Sequence, residues 1–108
     1  MNSRPDNFAK TFSETGVGTN AGVSVDHAAE TDKRHLVTGI QCSGDAAAVV
    51  TVESPAGTIL YRKRFAGAFT MNEQFPVPLK GARGEIVRVK VSASTANCEA
   101  NLQGYTVL

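Results

Sequence analysis

The feature that most constrains this chain is the punctuation of its last three quarters. Short runs of alternating apolar and polar residues are each closed by a turn rich in Gly or Pro. His35 to Ser43, Ala47 to Glu53, Thr58 to Phe65, Phe69 to Phe75, Glu85 to Ala93 and Cys98 to Leu108 all read as strands. They follow one another at the roughly 8–12-residue spacing of an all-β sandwich or barrel. The turns fit: Pro55 presets φ and Gly57 accepts a positive φ in Glu53-Ser54-Pro55-Ala56-Gly57. No stretch holds the period of a long helix.

At 108 residues the chain makes one domain with one modest core. Parity along each strand nominates that core. Leu36, Thr38, Ile40 and Cys42 share one face, and Val87, Val89 and Val91 alternate with Arg88 and Lys90. The expected core is Leu36, Ile40, Val50, Val52, Ile59, Phe69, Phe75, Val87, Val89, Val91 and Leu102. Lys63 interrupts the face carrying Ile59, Tyr61 and Phe65, which marks an edge strand or a bulge. Pro76 and Pro78 forbid a central ladder position, so that segment is an edge or an extended connection.

Met1 to Gly22 differs. It is rich in Gly, Ser, Thr and Asn, with isolated aromatics at Phe8 and Phe12. The domain division expected is an extended arm over residues 1–22 and a sandwich over 23–108, with Ala21 to Val25 adding a first strand. The arm is either a frayed terminus or a reach onto a neighbouring subunit, with Phe8 and Phe12 as anchors. The polar N-terminus lacks the apolar stretch of a secretory signal, and no run is long enough for a membrane-spanning helix.

Residues able to do chemistry are sparse. Cys42 and Cys98 fall at core-facing parity, and pairing their strands with Cys42 opposite Cys98 keeps every pair on the core side. They are then either buried free thiols or a cross-strand disulfide. Synthesis in a reducing cytoplasm is expected, where two cysteines imply no disulfide framework. His27 and His35 read as surface histidines flanking a polar loop. There is no nucleophile elbow, no phosphate loop and no paired carboxylates, so no catalytic residue, no metal ligand and no cofactor is expected. The basic run Arg62-Lys63-Arg64 is either a solvated strand face or, with Arg88 and Lys90, a patch for an acidic protein surface. A net charge of +1 gives no case for nucleic acid or a membrane surface as partner.

The stretch from Lys33-Arg34-His35-Leu36-Val37-Thr38-Gly39-Ile40, through Phe75-Pro76-Val77-Pro78-Leu79-Lys80-Gly81, to Asn101-Leu102-Gln103-Gly104-Tyr105 resembles small β-sandwich proteins of tailed bacteriophages. The resemblance spans Lys33 to Val107, including the turn Ser92-Ala93-Ser94-Thr95. It implies a jelly-roll-like sandwich and a non-enzymatic virion role, foremost capsid decoration. The implied partner is the major capsid protein, bound by a homo-oligomer, a trimer ahead of a dimer, on the capsid surface. Arg4, Phe8, Phe12, Arg62, Lys63 and Arg64 are the candidate contacts. A tail, neck or fibre-attachment role is the alternative, and a glycan- or host-surface-binding module the second; the latter calls for grouped exposed aromatics, for which only Tyr61 and Tyr105 qualify.

Overall fold

The computed structural model describes residues 9–93 and 96–108. Its strands are β1 (Ala9–Gly18), β2 (Val23–His27), β3 (Arg34–Gly44), β4 (Ala48–Glu53), β5 (Ile59–Phe65), β6 (Phe69–Lys80), β7 (Val87–Ser92) and β8 (Cys98–Val107). They form two antiparallel four-stranded sheets: a front sheet ordered β1-β8-β3-β6 and a back sheet ordered β2-β7-β4-β5. Only β4 and β5 are consecutive strands of one sheet, so every other connection crosses between layers. This is the strand order of an eight-stranded jelly roll. The all-β sandwich expected from the sequence is the fold observed.

The core fills the gap between the layers. Inward residues of the back sheet align in rows Val25–Val89–Val52–Tyr61 and Val23–Val91–Val50–Lys63. Ile40, Cys42, Met71, Phe69, Ala100 and Leu102 of the front sheet pack within the same buried cluster. β-branched valines suit these rows because their stiff side chains fit a pleated surface. Val50, Val52, Val87, Val89, Ile40 and Leu102 are all fully buried. Lys63 stands at the open end of its row, on the edge strand β5. An inward-pointing charge at an edge discourages pairing with another chain. Phe65 and Phe69 stack at 4.2 Å beneath it, with Lys63 Nζ 5.7 Å from the Phe65 ring.

Four expectations about the strands and their register need correction. The first concerns β3, whose register with both neighbours shifts between Val37 and Gly39. Thr38 is the extra residue of a bulge, and a bulge reverses parity beyond it. Val37 and His35 are therefore fully buried, whereas Leu36 turns to the outer face and is only partly covered. Across the same bulge, β6 pairs through Gln74 and resumes at Leu79, so Phe75-Pro76-Val77-Pro78 leaves the ladder. Pro76 and Pro78 have no N–H to contribute there. Phe75 packs partly against the core and Val77 is 81% exposed.

Second, Ile59 is 51% exposed, because the β4–β5 register shifts next to Glu53 and reverses parity at the start of β5. Third, the sandwich already includes Ala9–Gly18 and does not start at residue 23. Ala9–Gly18 pairs with β8 along its whole length and closes one edge of the front sheet. Its inward side carries Phe12, Glu14 and Gly16, too weak an apolar signal to read as a strand alone.

Fourth, β3 and β8 do pair antiparallel, but Cys42 faces Ala100 and Cys98 faces Gly44. The offset is set beyond the strand ends. Asn97 N–H and Nδ2–H both donate to the Asp45 carboxylate, at 2.8 and 3.0 Å, and Asp45 N–H donates to Asn97 O. Gly44 permits it: a Cβ there would lie 2.7 Å from the Phe69 ring.

Candidate functional site: two unlike faces and a histidine cluster

Alternation along each strand gives the sandwich two outer faces, which differ in chemistry. On the back sheet, register aligns Ser24–Lys90–Thr51–Arg62 and Asp26–Arg88–Glu53, with Arg64 beside Val49 and Ser92 in the next row. Arg88 forks onto Asp26, Nε to Oδ1 at 2.6 Å and Nη2 to Oδ2 at 3.0 Å. That bonding holds the guanidinium even more firmly protonated than usual. Glu53 is buried, accepting from Gly57 N–H at 2.8 Å and Thr51 Oγ1–H at 3.1 Å, and so clamps the β4–β5 turn. Arg62, Arg64 and Lys90 are exposed and make no ion pair among the described residues. This face is therefore net basic.

The front face is a grid. Its rows are Val17–Glu99–Ser43–Thr70, Thr15–Asn101–Gln41–Asn72, Ser13–Gln103–Gly39–Gln74 and Thr11–Tyr105–Leu36–Lys80. Charge appears only in the outermost rows, at Glu99 and Lys80; the middle is amide and hydroxyl. Two shallow depressions lie on it. One of about 420 Å³ is bordered by Thr15, Gln41, Thr70, Asn72, Glu99 and Asn101. The other, about 380 Å³, is bordered by Thr11, Ser13, Thr38 and Gln103. Asn101 Nδ2–H donates to Thr15 Oγ1 at 2.7 Å, while Asn101 Oδ1 is buried with no partner. A buried acceptor left unpaired carries a desolvation cost that a donor from outside relieves.

At one end of the sandwich, Phe12, His27 and His35 form an aromatic cluster. Phe12 and His27 stack at 4.0 Å, and His35 meets both edge-on, at 5.6 and 4.5 Å. His35 is fully buried, not at the surface, because the Thr38 bulge turns it inward. Its Nε2–H donates to Ala28 O at 2.7 Å, and its Nδ1 lies 2.6 Å from Thr106 Oγ1. His27 Nδ1–H donates to Glu14 Oε2 at 2.8 Å. Its Nε2 faces Glu30 Oε2 at 3.8 Å.

The contact residues expected from sequence are scattered. Arg4 and Phe8 lie outside the described residues. Phe12 is spent inside the sandwich against His27 and is no free anchor. Arg62 and Arg64 share the basic face, while Lys63 points to the opposite side of the same strand. Cys42 and Cys98 are buried free thiols, two ladder positions apart on the core side. Burial pushes the Cys42 thiol up to about 11 and also raises Cys98, so both stay protonated at neutral pH. Sequence reasoning missed the amide grid and the histidine cluster. The outward parity of Asn101, Gln103 and Gln41 was legible, but not which strands set them side by side. The chain matches no protein-family model and no curated protein.

Proposed function

We propose that this chain is a non-enzymatic structural protein of a tailed-phage particle that decorates the capsid and reinforces it by binding the major capsid protein as a homo-oligomer. The observation that carries the reading is a jelly roll, an architecture used in viral shells, with one basic outer face and one whose middle rows carry no charge. A body with two unlike faces has one side for a charged protein surface and another to present outward or to a second copy. Arg62, Arg64 and Lys90 supply forks and point charges for carboxylates on the shell. Depletion of charge on the front face suits contact between copies. A cement works by mass action: each subunit stabilises the assembled shell by RT ln(1 + [L]/Kd), and repeated sites add avidity.

The test is co-sedimentation of the purified protein with undecorated heads, with isolated tails in parallel. Saturable binding to heads, weakened by salt, is the expected result. Binding to tails alone moves the protein to a tail, neck or fibre-attachment role, and binding to neither overturns the virion reading.

One observation favours a second reading, a glycan-binding module: the amide and hydroxyl grid around the unpartnered Asn101 Oδ1, which matches the paired donors and acceptors of neutral sugars. Glycan-array binding lost in Asn101→Ala supports it, and a blank array removes it.

A further inference from the structure

We propose that His27, His35 and Glu30 form a binding site for a divalent first-row transition metal ion of the zinc class, which clips the β2–β3 loop to the end of the sandwich. One ligand atom from each lies within 4.8 Å of the other two. Two imidazoles and one carboxylate form a donor set for such ions and a poor one for magnesium or calcium.

The surroundings prepare each ligand. His27 gives its Nδ1 proton to Glu14 Oε2 at 2.8 Å, so in the neutral ring the lone pair sits on Nε2, the nitrogen that faces Glu30. A carboxylate behind a ligating histidine is the recurrent outer-shell device of metal sites; it fixes the tautomer and raises the basicity of the ligand nitrogen. The 3.8 Å between His27 Nε2 and Glu30 Oε2 is too long for a hydrogen bond. Two ligands on one tetrahedral zinc, each about 2.0–2.1 Å from it, stand about 3.3–3.4 Å apart. Glu30 is half-exposed, just before the Thr31–Asp32 turn, and its other oxygen Oε1 is held only loosely, 3.5 Å from Lys33 Nζ, so a small rotation of the side chain closes that difference.

His35 needs one rearrangement, which its partners allow. Without metal, Nε2–H donates to Ala28 O and the Thr106 hydroxyl donates to Nδ1. With metal, the proton moves to Nδ1 and is donated to Thr106 Oγ1, the hydroxyl turning from donor to acceptor. No net proton leaves the ring, and Nε2 is freed as a ligand. Ala28 O, 2.7 Å from Nε2, then lies where an adjacent oxygen ligand would sit. His27 belongs to β2, His35 to β3 and Glu30 to the loop between them, and Glu14 of the edge strand β1 bonds His27 from behind, so one ion ties two strands and their loop together and braces the third.

The experiment is calorimetric titration of zinc chloride into the chelator-stripped full chain, paired with thermal melts and with magnesium as the contrasting ion. Single-site binding of zinc, none of magnesium, and a Tm that rises with zinc concentration are expected. Glu30→Gln removes only the weak, half-exposed pair with Lys33 and so melts like wild type without metal, but it binds zinc at least about tenfold more weakly. Cobalt replaces zinc as a colour probe, because thiolate ligation gives a charge-transfer band and an N/O set does not. Absence of zinc binding, equal affinity in Glu30→Gln, or a thiolate band pointing to Cys42 or Cys98 each overturns the proposal.

Discussion

Val37→Thr and Leu36→Asp together test the bulge at Thr38, which decides what β3 buries. Valine and threonine have nearly the same shape, so Val37→Thr leaves no cavity and isolates the cost of placing a hydroxyl at a fully buried position. That cost is about 1–3 kcal/mol. Against a total of about 5–15 kcal/mol for a domain this size, it is a visible fraction. Each kcal/mol lowers Tm by about 4–8 °C, which puts the melt about 4–24 °C lower. Leu36 sits outside, between Tyr105 and Lys80, so Leu36→Asp gains a cationic neighbour and keeps its access to water. Its stability stays within about 1 kcal/mol of wild type. Urea denaturation followed by circular dichroism measures both. Strict alternation along β3 demands the reverse order: an unfolded Leu36→Asp beside a normal Val37→Thr refutes the bulge.

Gly104→Ala places a Cβ 2.0 Å from the Leu36 carbonyl oxygen and 2.7 Å from the Phe12 ring, so a loss of about 1–3 kcal/mol or more is expected in the same urea assay. The native thiols should resist a thiol reagent at pH 8 and react fully in denaturant, since burial holds Cys42 up at about 11; two fast-reacting native thiols contradict the core placement. Because the folded state raises Cys42 above its unfolded value, the stability linked to it is complete below about pH 9 and is lost as pH climbs towards 11. Melts stepped across that window should show the decline, and Cys42→Ala should flatten it. Arg62→Glu with Arg64→Glu should leave the melt unchanged while abolishing salt-sensitive binding to heads in co-sedimentation.

What the sequence discloses follows where one strand's own alternation decides burial. Val87, Val89 and Val91 alternate with Arg88, Lys90 and Ser92, and β7 is buried on that side without exception. The edge position of β5 was legible in Lys63, and the edge position of β6 in Pro76 and Pro78, because charge and proline both conflict with a central ladder. What stayed hidden depends on neighbours. The bulge at Thr38 exists because Phe75-Pro76-Val77-Pro78 leaves the ladder opposite it, a bargain between segments far apart in the chain. Reversed parity then turned a surface histidine into the fully buried His35 and created the cluster with His27. β1 was invisible for a related reason: Phe12 is its one large inward residue, and its order comes from pairing with β8. The amide grid was present as outward residues on four separate strands, and only the crossover order β1-β8-β3-β6 makes it a surface.

The most direct test of the proposed function is electron cryo-microscopy of phage particles from the source of this chain. The account predicts jelly-roll density on the outside of the capsid, repeated about a local symmetry axis, with Arg62, Arg64 and Lys90 turned towards carboxylates of the shell. A bare capsid, or the same fold on the tail alone, contradicts it.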